Sequence, residues 1–209
     1  MMASLHERIP DNQSFADGID YLVNLIVRTA PKDRARFENE VLEWAGQPET
    51  RQLASGIAGG VNLRSPSPQL RERLGPALHA DIKQQGLTAE EYNSAIIALG
   101  ELEYEPATEL IATRFLDARL GTKNASTYAL MLLAPERTGI PFQGYALEAP
   151  DEGARVAGVG LRVCYTRKGL DETRRRMSFI HPGVLGRITA WHHLPSQLKA
   201  ELDDYTRRT

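Results

Sequence analysis

Histidines, one cysteine, a run of arginines and a string of glutamates are the residues of this 209-residue chain whose spacing could carry chemistry. His192 and His193 follow Trp191, with His181 upstream. Neighbouring residues on a helix point about 100° apart, so this pair does not easily share a metal, and His181 joins it only through folding. There is no HExxH and no CxxC, and no metal site is expected. Cys164 lies in the apolar run 159–165 and reads as a small buried residue. Ser55-Gly56 and Gly59-Gly60-Val61 form neither a nucleophile elbow nor a P-loop. Gly158-Val159-Gly160 lacks the third glycine of a dinucleotide fingerprint. No cofactor is therefore expected.

Two charged clusters remain. Arg174-Arg175-Arg176, with Arg162, Arg167 and Lys168 nearby, is the densest basic stretch. Paired with Asp171 and Glu172 it is a solvated face. Left open, it is a patch for an anion or an acidic partner, which steers association more than it sets affinity. Glu101, Glu103, Glu105 and Glu109 crowd a predicted turn between two helices, where Glu105 and Glu109 favour the second helix's N-terminus and the cluster otherwise reads as a cation site or a contact for a basic partner. Trp191 is a packing residue or an interface anchor. The residues assigned to partner binding are Arg174, Arg175, Arg176, Glu101, Glu103 and Trp191. No catalytic residue is assigned, and the reading leans against an enzyme.

The elements that must position these groups read as helices. Thr88 with Glu91 three residues on is a capping box. Tyr92, Ala95, Ile96, Leu99 and Leu102 then recur at three- and four-residue steps. Pro106 opens a second helix carrying Ala107, Leu110, Ile111 and Phe115, with Gly121 as its stop. Upstream, residues 1–13 are polar and loosely held. Ser14 caps a helix with Leu22, Val23 and Ile26 on one face, and Pro31 begins another with Phe37, Val41, Leu42 and Trp44. Residues 49–57 make a weak helix penalised by glycine, and 61–68 are the clearest loop. Pro68 begins a helix through Leu70, Leu74, Leu78 and Ile82.

Downstream, helices are expected at 124–133 and 141–147, the latter with Phe142, Tyr145 and Ala146 inward. Asp151 caps the next segment, where Ala154, Ala157, Leu161 and Cys164 fall at helical spacing. Val156, Val159, Leu161 and Val163 also fit a strand, and helix is preferred because no second strand offers itself for pairing. Residues 170–179, 182–192 and 195–205 complete the set.

Segments 125–147, 154–177 and 184–205 repeat the pattern of the 88–120 hairpin at roughly 30 residues, the range of stacked helical pairs. Ala95-Ile-Ile-Ala-Leu-Gly-Glu-Leu resembles the first helix of a HEAT-type repeat, and 105–117 its second helix. The resemblance implies an all-α, right-handed α-α superhelix of stacked helical hairpins with a concave binding surface. One domain spans 14–209, with 14–87 as capping helices and 88–209 as hairpins.

Composition fits an ordinary folded chain, with 42% hydrophobic and 25% charged residues. Net charge is −2, which argues against nucleic acid or anionic lipid as partners. Charge is uneven: residues 1–150 carry 14 Lys/Arg against 20 Asp/Glu, and 151–209 carry 11 against 7. A single cysteine, no leader-like apolar run before Asp11 and no membrane-length segment suggest a cytoplasmic protein. The expected function is a non-catalytic, protein-binding α-solenoid, in its narrower form an immunity or inhibitor protein. The alternatives are a HEAT-like alkyl-base DNA glycosylase, using Asp171, Trp191 and the arginines, or a structural self-associating domain.

Overall fold

A computed structural model describes residues 15–84, 86–115, 120–188 and 194–208. The described residues are α-helical with two short 3-10 turns, and no strand occurs among them. The helices are α1 (Phe15–Arg28), α2 (Pro31–Ala45), α3 (Arg51–Arg64), α4 (Pro68–Lys83), α5 (Ala89–Glu101), α6 (Thr108–Arg114), α7 (Leu120–Leu133), α8 (Gly139–Glu148), α9 (Pro150–Met177), α10 (Pro182–Ile188) and α11 (Ser196–Arg208). The segment open to a strand reading is helix, inside α9. Ser14 and residues 1–13 lie outside the described residues.

Local chemistry sets the helix starts. Thr88 Oγ1 accepts from the Glu91 backbone N–H at 3.2 Å, while a Glu91 carboxylate oxygen accepts from the Thr88 N–H at 2.8 Å. That completes the capping box. Ser67 caps α4 by accepting from Leu70 N–H at 3.3 Å. Pro31, Pro68 and Pro150 occupy first-turn positions, where a missing N–H costs nothing. Asp151 sits in the first turn of α9 and gives no cap. Ala149 holds the cap position.

The contacts divide the chain into two compact units, Met1–Ala107 and Thr108–Thr209. The division falls between the two helices that the sequence pairs as a hairpin, not near residue 87. In the first unit α5 packs on α3 and α4; in the second, α6 packs on α7. Within each unit the main contacts join a helix to its neighbour and to the next but one. Thus α1, α3 and α5 form one layer with α2 and α4 beside it, and α7, α9 and α11 form another with α8 and α10 beside it.

The centre of the first unit is α3. It runs seven residues past the expected end at Ile57, through Gly59 and Gly60 and into the expected 61–68 loop, to Arg64. Its glycines are approach points. A Cβ on Gly56 would meet Ile19 at 2.9 Å, one on Gly60 would meet Val23 at 2.8 Å, and one on Gly59 would meet the Glu101 carboxylate at 2.0 Å. Two faces of α3 thus admit α1 and α5 closely, and that packing outweighs the propensity penalty of about 1 kcal/mol per glycine. Asn62 then donates to the Glu101 carbonyl at 2.7 Å and accepts from Ser67 N–H at 3.0 Å. The connection to α4 is only residues 65–67.

In the second unit, Met131, Phe142, Tyr145, Ala154, Ala157, Leu161, Met177, Ile180, Val184, Leu185, Ile188, Leu198 and Leu202 form one core. All four residues placed inward on the first part of α9 (Ala154, Ala157, Leu161 and Cys164) are buried. Gly169 breaks α9 at φ 80°, ψ −173°, a backbone conformation that favours glycine, and the chain resumes as helix to bury Thr173, Arg176 and Met177. Gly121 does not stop the preceding helix. That helix closes at Arg114, and Gly121 lies in the first turn of α7. Beyond α10, residues 189–193 lie outside the described residues.

Candidate functional site

The arginine triplet lies after the Gly169 break and is engaged within its own unit. Arg174 Nε reaches Glu201 at 2.6 Å and its Nη1 reaches Asp171 at 3.1 Å. Arg175 binds the two oxygens of Glu172 at 2.8 and 2.9 Å. Arg176 turns inward, 3% exposed, and reaches Glu172 at 3.0 Å. The Arg175 hydrogen bond is the main influence holding the Glu172 carboxyl below its ordinary value, and Arg174 does the same for Glu201. Two guanidiniums therefore remain on the surface, both ion-paired, and the third belongs to the interior.

Glu101 and Glu103 belong to the other unit. Glu101 packs over Gly59 and its carbonyl accepts from Asn62. Glu103 takes the left-handed backbone conformation (φ 53°) that closes the turn after α5. Trp191, His192 and His193 lie outside the described residues. His181 is exposed and its Nδ1 accepts from Gly183 N–H at 3.1 Å. Cys164 is buried. Among the described residues no three His, Cys, Asp or Glu side chains gather as a metal site. No helix among them is long and apolar enough to cross a membrane.

The surface that stands out is one the sequence reading did not assign. Helix α8 buries Pro141, Phe142 and Tyr145 and turns Ile140, Gln143, Leu147 and Glu148 outward. Ile140 is 70% exposed and Leu147 82%. Positions 140, 144 and 147 share one stripe of a helix, and a Cβ on Gly144 would meet nothing within 4 Å. Beside this stripe lies a cavity of about 430 Å³ bordered by Phe115, Ile140, Pro141, Gly144, Tyr145 and Ala149, with Lys123 and Glu148 as its charged members. A second hollow of about 280 Å³ shares Phe115, Ile140 and Pro141 and adds Glu136 and Arg137. The sequence held the signal: Ile140 and Leu147 are seven residues apart and off the inward set Phe142, Tyr145 and Ala146.

The floor of the larger cavity is held by a polar chain. Tyr145 Oη donates to Asn124, whose amide donates to Glu152. Arg155 closes the chain with two bonds to Glu152, at 2.6 and 3.0 Å. Burial pushes the Tyr145 phenol up to about 12. Arg155 is the first cause holding the Glu152 carboxyl low. At neutral pH the phenol is protonated and fixed as a donor, so this chain orients the wall. Compared with protein families, with curated proteins and with solved structures, the chain matches none.

Proposed function

We propose that this chain is a non-catalytic protein-binding module that docks its partner on the exposed stripe of α8. One observation carries the reading: Ile140 and Leu147 stand 70% and 82% exposed on the same face, beside a preformed hollow. Covering a Leu or Ile side chain releases about 1.5–3 kcal/mol. An exposed apolar stripe next to a cavity is the arrangement of a recognition groove.

We also propose that the units are short α-α stacks of the HEAT kind. Their next-but-one helix contacts support this, since each layer of such a stack touches the layer before and after it. An immunity or inhibitor role is the narrower form of the same reading and rests on fold-level analogy alone.

A photo-crosslinking residue placed at Gln143, exposed on α8, tests the docking surface in cells that make the protein. Protein adducts are expected there and not from the same probe at Glu72, exposed on α4. No adduct at Gln143, or equal adducts at both positions, would reject the surface.

A further inference from the structure

We draw no further inference here: the strongest candidate, the exposed stripe of Ile140 and Leu147 on α8 with the hollow of about 430 Å³ beside it, belongs to the surface already proposed for docking, and nothing in the structure shows what covers it.

Discussion

The most telling single residue is Arg176. Its guanidinium is buried, one nitrogen meets Glu172 at 3.0 Å, and Nε and Nη1 have no hydrogen-bond partner. A buried charge half-satisfied in this way is a weak source of stability, and apolar side chains of similar volume often do better. Arg176→Met is expected to leave stability unchanged or raise it by about 1 kcal/mol. Glu172→Gln, which leaves that buried guanidinium without its carboxylate, is expected to cost about 2 kcal/mol. Urea unfolding checks both, and a large loss from Arg176→Met would show that the pair stabilises the fold. The pH profile follows from the same groups. Glu172 and Glu152 are held below their ordinary values by arginine hydrogen bonds, so the stability they confer is present above about pH 4.5 and lost as pH falls through their folded values. Tyr145 is raised to about 12, so stability falls as pH climbs from about 10 toward that value. Tyr145→Phe is expected to flatten the alkaline limb, leaving the acid limb to the carboxylates. The i,i+3 and i,i+4 spacing made the pairing of the triplet with Asp171 and Glu172 legible in the sequence. Which arginine faces inward was not legible, because that depends on where the Gly169 break aims the helix.

At the scale of elements, helix periodicity was readable and glycine was misread. The inward sets of α4 and of the first part of α9 are buried as their spacing predicts. Around α3 the same reasoning failed, because it treated Gly56, Gly59 and Gly60 as penalties when they are the places where α1 and α5 come close. Intrinsic propensity is a local quantity of about 1 kcal/mol per glycine, and a helix contact spread over several side chains outweighs it. Two glycines on α9 separate the effects. A Cβ on Gly153 would lie 2.6 Å from Tyr145 Cβ, an atom fixed to the α8 backbone. Gly153→Ala is therefore expected to cost about 1–2 kcal/mol net, overpacking exceeding the gain in helix propensity. A Cβ on Gly160 would meet Met131 Sδ and Cε, both at 2.8 Å, the far end of a flexible side chain. Gly160→Ala is expected to be neutral or stabilising by up to about 1 kcal/mol. Equal effects in thermal unfolding would mean that α8 yields as readily as a methionine tail.

The molecule as a whole was legible as all-α, and its contacts divide it between residues 107 and 108. The sequence reading joined residues 88–120 into one hairpin because the capping box and the two apolar stripes are locally convincing. Sequence spacing reports which face of a helix is apolar and says nothing about which neighbour covers it. Helix α5 is covered by α3 and α4, with Asn62 bonded to the Glu101 carbonyl, so it completes the first unit. That gives the two candidate boundaries different consequences. A fragment of residues 1–107 keeps Ile96, Leu99 and Leu102, all fully buried, against α3 and α4. A fragment of residues 1–87 removes them and opens the face of α3 that carries Gly59. It also strips Tyr104 from Gly75, where the ring packs so closely that a Cβ would lie 2.4 Å away. A span of about 100 residues is large enough to bury its own core. Residues 1–107 are therefore expected to be helical and to unfold cooperatively in urea. Residues 1–87 are expected to lose cooperativity and bind a hydrophobic dye. If 1–87 instead unfolds as sharply as 1–107, then α5 is an addition to a unit already complete, and the boundary near residue 87 is the physical one.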